Sequence, residues 1–345
     1  MKLTIDRISI LITAYKNPHL VRRCISSLKD SFGGKLPETI VIDDASNDSE
    51  IKRIAEEYES DGLKFAVMPQ NGGFAGANNF GIQFCTKEFP VLVNSDIVFK
   101  EEPFSAMLDF MDSHPKAGVI QGTLVIKNGE ESVDGTLNGC GAFLTPIGTT
   151  TTPGWLLPAD DPVAKEARKC FAAYGAMFMI RRETLKSVGL LFYDFFHMYY
   201  EEVDFCHRAW LSGWEVWYVP TPIVEHAHGA TSSKFINRED ILKKFYRNIR
   251  FSLLTCFGMR GMVLIKPIFE IGCFFSSLIQ LLRGKPMNWR AHKWAHKEIR
   301  SLKKEIKKTR RLIQAKRKIS DKEPFKTVMK NYTFKEFISF IRGYL

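Results

Sequence analysis

Short apolar runs alternate with helical periodicities through the first hundred residues, and this alternation constrains the fold more than any other feature. ISILITAY, TIVIDDAS, LKFAVMP and FPVLVNSD are of strand length, and NPHLVRRCISSL, SEIKRIAEEY and FAGANNFGIQFC between them place apolar residues at helical spacing. Strands and helices taken in turn predict a mainly parallel α/β sheet with helices on both faces. Ligands of such sheets bind at the carboxyl ends of the strands. Polar clusters fall there: Asp43 and Asp44 after one strand, Asn94, Ser95 and Asp96 after another. Farther on, GVIQGTLVIK and AAYGAMFMIRR read as strands around a Gly-, Thr- and Pro-rich stretch of loop and hairpin. EEVDFCHRAWLSG reads as a helix stopped at Gly213, WEVWYVP as a strand, and everything after about 236 as helical.

Charge is unevenly placed. Between Arg283 and Lys318 there are 15 Lys and Arg against two acids, Glu298 and Glu305. That stretch alone carries +13 of a net +11, so the rest of the chain sums to −2. A protein that binds nucleic acid more often spreads positive charge over its main domain, so no nucleic-acid partner is expected; a non-enzymatic basic nucleic-acid-binding protein using residues 283–318 is the alternative, and the apolar run beside that segment argues against it. The seven cysteines are widely spaced and form no CxxC pair, which fits a reducing compartment rather than a disulfide framework or a zinc ribbon. The opening MKLTIDRISILITAY reads as a buried strand and not as a signal peptide, because Asp6 and Arg7 precede a short apolar run.

Each polar cluster has a chemical and a plainer reading. Asp43 and Asp44 can accept hydrogen bonds from a base or ribose, or open a turn whose helix is capped by Asp48 or Ser49. Asp96 can hold Mg²⁺ or Mn²⁺ against a diphosphate, or end a strand. NGGFAGANNFG (71–81) can bring backbone close to phosphate, or pack a loop on a helix; it is no P-loop. Glu201 and Glu202 stand in the first turn of a helix, where a carboxylate serves either as general base or as complement to the macrodipole. Asp204 and Arg208, four apart, can pair on that helix's surface. His226 and His228 follow a strand, and an imidazole there can join Asp96 at a metal.

In this order the motifs resemble the family 2 inverting glycosyltransferases over about residues 7–235. They are most like the bacterial rhamnosyltransferase-like branch, which reads roughly NxGFAGGNNxG, NPD, GAxxxxRR, YxEDxDLCxR, GW and HxxGxS. Here these stand as NGGFAGANNFG, NSD, GAMFMIRR, YYEEVDFCHR, GW and HAHGAT. The resemblance implies a Rossmann-like GT-A catalytic domain over residues 1–235, with a donor half to about 100 and an acceptor half beyond. It implies that Thr13, Ala14 and Tyr15 line the base site with Asp43, and that Asp44 lies beside it. Asn71, Gly73, Phe74, Gly76, Asn78, Asn94 and Ser95 fall on the donor side by the same likeness. Asp96 is implied as metal ligand, with His226 facing the same diphosphate. Glu202 takes the place of the usual Asp as catalytic base, with Glu201 as its substitute. NSD replaces a full DxD, and the DExFF segment appears as YDFFH (193–197). The implied reaction is an inverting transfer from a nucleoside-diphosphate sugar, dTDP-L-rhamnose by resemblance, to a lipid-linked or polysaccharide hydroxyl in bacterial surface glycan synthesis. A nucleotidyltransferase shares the fold class, but it should carry a GxGxRL-type loop where this chain has ITAYKNP.

The helical remainder, 236–345, reads as an extension at a membrane. Residues 259–282 are apolar but broken by Lys266, Pro267 and Glu270, and the uncharged run Ile271 to Leu282 is too short for a ~30 Å bilayer core, which needs ~20 residues. Ile299, Leu302, Ile306 and Ile313 form one stripe among Lys and Arg, the pattern of an interfacial helix on anionic lipid. That places the protein peripherally on the cytoplasmic side of the bacterial inner membrane. A dimer interface and a helix packed on the catalytic domain are the alternatives for the same stripe.

Overall fold

The computed structural model describes residues 2–129, 133–227 and 237–329. A one-turn helix, α1 (Lys2–Ile5), precedes β1 (Ile8–Ala14), whose ISILITA is buried on both faces as a central strand requires. Helix α2 (Pro18–Ser31) starts on Pro18, whose fixed φ suits a first turn, and buries Leu20, Val21, Cys24, Ile25 and Leu28 at helical spacing. Then come β2 (Glu38–Asp43), α3 (Ser49–Glu57), β3 (Lys64–Val67), α4 (Gly73–Ile82) and β4 (Phe89–Asn94). Asp48 is the cap of α3, accepting from the Glu50 N–H.

After β5 (Ile97–Phe99) and α5 (Phe104–Ser113), GVIQGTLVIK proves to be two strands, β6 (Ala117–Gln121) and β7 (Leu124–Ile126). The chain changes sheets at Gly122, where a Cβ would stand 2.8 Å from Thr221 Oγ1. A hairpin follows, β8 (Phe143–Leu144) with β9 (Thr150–Thr151), then β10 (Arg168–Lys169), β11 (Met177–Ile180), α6 (Arg182–Val188) and α7 (Glu201–Leu211). Gly213, at φ +88°, ends α7 as expected. Strands β12 (Glu215–Tyr218) and β13 (Val224–His226) close this part.

The large sheet has the order β10-β12-β6-β11-β4-β1-β2-β3. Only β10 and β11 run against the other six strands, so the sheet is mainly parallel. A three-stranded sheet, β5-β13-β7, stands beside it and pairs His226 with Ile97. That register sets His226 next to Asp96.

Helices α8 (Arg238–Thr255), α9 (Met259–Leu282), α10 (Met287–Ser301), α11 (Lys303–Lys316) and α12 (Lys322–Val328) complete the described chain. They are not an appendage. One continuous core joins Leu11, Ile40, Ile42 and Leu92 of the sheet to Ile249 and Phe251 of α8, Phe269 of α9 and Ala291 of α10. Ile8, Ile10 and Ile12 face the opposite core, with α2, α3 and α5. The division expected at 235 falls outside the described residues, as do His228 and most of HAHGAT.

The basic segment also departs from expectation. Ile299, Leu302 and Ile306 pack on the shared core, and Ile313 joins Leu211 and Cys256, so the stripe is covered by the protein itself. Part of the positive charge caps α8. Arg310 Nη1 donates to the carbonyls of Leu254 and Phe257 at 2.7 Å each, and Gln314 Nε2 to those of Thr255 and Cys256 at 3.0 Å each. A helix C-terminus leaves such carbonyls unpaired and favours cations. Of the readings weighed for the stripe, the helix packed on the catalytic domain is the one realised.

Candidate active site

A cavity of about 710 Å³ opens at the carboxyl ends of β1, β2 and β4. Thr13, Ala14 and Tyr15 line it from the end of β1. Asp44, not Asp43, faces it from the end of β2. The Asp44 carboxylate accepts from the Gly72 N–H at 2.6 Å, and burial pushes it up to about 6 against the pull of the Gly72 and Gly73 amides. Asp43 turns away and accepts from Ser46 N at 3.1 Å and from the Ser46 hydroxyl, bracing the β2 loop. The sequence reading gave Asp43 the base contact and put Asp44 beside it; the structure reverses their positions.

Asn71, Gly73 and Phe74 reach the cavity from the Gly-rich turn. Gly73 has φ +65°, and a Cβ there would lie 2.3 Å from the His197 carbonyl oxygen, so only glycine fits. Gly76 and Asn78 are not among the lining residues. Asn78 is fully buried in α4 and donates to the Phe74 carbonyl at 2.8 Å. These two serve helix packing rather than ligand contact, which corrects their placement on the donor side.

Asn94, Ser95 and Asp96 line the next edge, with His226. Asp96 Oδ1 is buried without a hydrogen-bond partner and stands 3.3 Å from His226 Nε2, close but not aligned for a hydrogen bond. His226 Nδ1 donates to Asn138 Oδ1 at 2.5 Å; an amide oxygen only accepts, so Nε2 is the ring's acceptor atom. Two electron-pair donors so placed fit a divalent cation. Neighbouring ligands at ~2.1 Å about an octahedral ion lie roughly 3 Å apart. The amide behind the imidazole is the support that metal-binding histidines usually have. Among the described residues no third His, Cys, Asp or Glu completes a cluster. Diphosphate oxygens and water would fill the other positions, as is usual for Mg²⁺.

Opposite, α7 begins inside the cavity with Glu201 and Glu202. Each has one buried carboxylate oxygen, Oε2, without a hydrogen-bond partner. Burial, and then repulsion from Glu202, raises Glu201 well above the ordinary range; burial pushes Glu202 up to about 7. Asp204 and Arg208 pair at 2.7 Å, buried rather than on the surface, and Arg208 also holds the carbonyls of Leu190 and Leu191.

Two parts of the site escaped sequence reasoning. One is the segment before α7, where His197, Tyr199 and Tyr200 all have positive φ (63°, 64° and 77°) and line the cavity. Such backbone costs energy and persists only when its surroundings hold it. Here α8 holds it: Asn248 Nδ2 donates to the carbonyls of Phe196, Met198 and Tyr199 at 3.1, 3.1 and 2.7 Å, and Arg247 to those of Phe195 and Phe196. The other is α8 itself, which gives Asp240, Lys244 and Phe245 to the cavity wall. The polar run RNIR inside an apolar helical period was the available signal.

Comparison with known proteins bears on the family and the fold. The profile of Glycosyl transferase family 2 matches residues 9–189. The low-salt glycan biosynthesis hexosyltransferase Agl10 of Haloferax volcanii is 25% identical over 209 residues, 59% of this chain and 62% of that protein. A poly-beta-1,6-N-acetyl-D-glucosamine synthase of Staphylococcus epidermidis is 22% identical over 286 residues, 80% of this chain and 66% of that protein. The chain therefore spans less than two thirds of the length of either relative. TarS of S. aureus superposes with a TM-score of 0.55 at 18% identity, over 93% of this chain and 54% of that one. GalNAc-T7, solved with UDP, GalNAc and Mn²⁺, gives a TM-score of 0.55 at 15% identity, over 86% and 57%. Such distant likeness speaks to the fold, which is GT-A. The family match covers more than half of the chain and takes in the strands that carry Thr13, Asp44 and Asp96: the chain belongs to Glycosyl transferase family 2.

Proposed function

We propose that the enzyme moves a sugar, with inversion, from a nucleoside-diphosphate donor to a hydroxyl of a lipid-linked or polysaccharide acceptor. The observation that carries this reading is the meeting, in one cavity, of the Asp96–His226 pair and the buried Glu201–Glu202 carboxyls. Thr13, Ala14, Tyr15 and Asp44 take the nucleoside, and Asn71, Gly73 and Phe74 the sugar-diphosphate side. Asp96 and His226 would hold Mg²⁺ or Mn²⁺, which when bound offsets charge on the departing diphosphate. Glu202 removes the proton of the acceptor hydroxyl. The freed oxygen bonds to the anomeric carbon as the bond from that carbon to the diphosphate breaks. L-Rhamnose as the sugar rests on the sequence resemblance. The relatives' names speak of hexosyl transfer and of N-acetylglucosamine polymer synthesis, so those donors belong in the test. The seven cysteines, all free and buried, support a location on the cytoplasmic side of the membrane.

A thermal-shift panel of dTDP-, UDP- and GDP-sugars, with Mn²⁺ or with EDTA, tests the donor and the metal together. A ligand at a hundred times its Kd adds about 2.7 kcal/mol to the folded state. We expect one nucleotide to raise Tm by several degrees with Mn²⁺, less with EDTA, and less in Asp96→Ala. A shift equal in EDTA and in Asp96→Ala would remove the metal from the reading, and no shift with any nucleotide would overturn the donor site.

A further inference from the structure

Helix α9 is one unbroken helix of 24 residues, Met259–Leu282, with a mean hydropathy of 1.8 over its most apolar window. At 1.5 Å per residue it is about 36 Å long, enough to cross a bilayer. Its two faces nevertheless differ. Ile265, Phe269, Cys273, Ser276, Ser277 and Gln280 are buried against the protein. Glu270 bonds to Arg250 of α8 at 2.7 Å and stands 3.4 Å from His296 of α10. Gly148, beside the β8–β9 hairpin whose Thr150 lines the cavity, lies against Ile265. A helix covered along one face by the catalytic fold cannot be surrounded by lipid.

The other face carries Leu264, Ile268, Ile271, Phe275 and Leu282 at helical spacing, all exposed, with Val263 and Phe274 beside them. Trp289 of α10, itself exposed, extends this surface, its ring 6.0 Å from that of Phe274. Soluble proteins rarely expose so long an apolar strip. Exposed Arg260, Arg283, Lys285 and Lys293 stand along and just beyond it.

We propose that α9 lies in the plane of an anionic membrane, with this outer face among the acyl chains and the basic residues at the headgroups. Charge selects lipid over a second copy of the chain. An isologous dimer through α9 would set one +13 segment near another, whereas anionic headgroups neutralise both the flanking cations and the segment. The seat expected on Ile299–Ile313 moves to α9, because the protein covers the former stripe itself. The β8–β9 edge of the cavity then lies on the membrane side of the fold.

The test uses the full chain. Removing α9 would strip Ile265, Phe269 and Cys273 from the core, so the outer face is changed instead: Leu264→Gln, Ile271→Gln and Phe275→Gln together. Vesicle flotation compares phosphatidylglycerol-rich with pure phosphatidylcholine membranes. We expect the wild-type protein to float with the anionic vesicles and the triple variant to bind them at least about tenfold more weakly. The variant should keep the wild-type Tm, since none of the three residues is in the core. Alkaline carbonate should release the bound protein, as suits a helix lying in the interface. Equal flotation of variant and wild type, no flotation of either, or resistance to carbonate would each overturn the proposal. So would a wild-type dimer in solution that the variant dissolves, which would assign the strip to a second copy.

Discussion

A carboxylate takes a proton only when it is ionised, and burial holds Glu202 protonated up to about pH 7. If Glu202 is the base, kcat/KM should rise as pH climbs through about 7 and level off above it, and fall tenfold per unit well below. Glu202→Gln keeps the shape and loses the acceptor, so transfer should drop by ~10²–10⁴ with nucleotide binding retained. Turnover near wild type in that variant removes the role, and loss only in Glu201→Gln moves it one residue back. The residue scale is also where sequence reasoning slips by one. Successive side chains alternate sides only while the strand lasts; β2 ends at Asp43 and Asp44 stands beyond it, so the pleat does not fix which aspartate faces the cavity. Nothing in TIVIDDAS says which does; the Gly72 amide decides for Asp44. Asn78 misled for a related reason. A Gly-rich stretch reads as a phosphate loop, but α4 begins at Gly73, and by Asn78 the chain is well inside the helix.

At the scale of elements, the strands and helices of the parallel sheet were legible because burial on both faces writes a continuous apolar run, and a half-buried helix writes a 3.6-residue period. The segment 193–200 was not. Positive φ is announced most by Gly and Asn, and here it falls on His197, a weak signal, and on Tyr199 and Tyr200, which carry none. Their conformation is imposed from α8, about fifty residues later in the chain. Asn248→Ala should expose this dependence. It takes the Asn248 donor from the carbonyls of Met198 and Tyr199, while that of Phe196 keeps Arg247; lost pairing of a buried group costs about 1–3 kcal/mol. We expect a clear fall in Tm, and a fall in kcat at saturating donor, because Tyr200 precedes the turn that carries Glu201 and Glu202. Asn248→Asp, which keeps the shape but not the N–H donors, should resemble the alanine variant. Wild-type kcat in either, measured well below Tm, would show that the loop holds its shape without the clamp. The split of GVIQGTLVIK was equally silent, since an apolar run through Gly122 does not say that it changes sheets.

The whole molecule answers to pH through groups that no motif marks. Burial holds His207 and His292 down to about 3 and His197 down to about 4, against 6.5 in an unfolded chain. Below pH 6.5 the unfolded chain binds three protons that the folded one refuses, which by itself lowers stability as pH falls. The cavity acids act the other way. Burial raises Glu201, Glu202 and Asp44, so above about pH 4.5 the folded state keeps protons that the unfolded chain has released. Between about pH 4.5 and 6 the two sets nearly cancel, three protons against three, and stability should be almost flat. Below about 4.5 the unfolded carboxyls are protonated as well, and the cancellation ends. The histidines then act unopposed, with a slope of up to about 4 kcal/mol per pH unit. Glu38 and Glu270 add to it in the same window: Lys64, Ser9 and Thr86 outweigh the burial of the first, His296 and Arg250 that of the second, and each is held down to about 2, so the stability they give is lost as pH falls from about 4.5. We therefore expect Tm to change little from pH 6 to 4.5 and to fall steeply below. The double variant Glu201→Gln, Glu202→Gln removes two of the three compensating acids, so its Tm should already decline from about pH 6.5. A double variant whose profile parallels the wild type would mean that the pair titrates in the ordinary carboxylate range in the folded enzyme, which would overturn the stability argument and with it the rise in kcat/KM expected near pH 7.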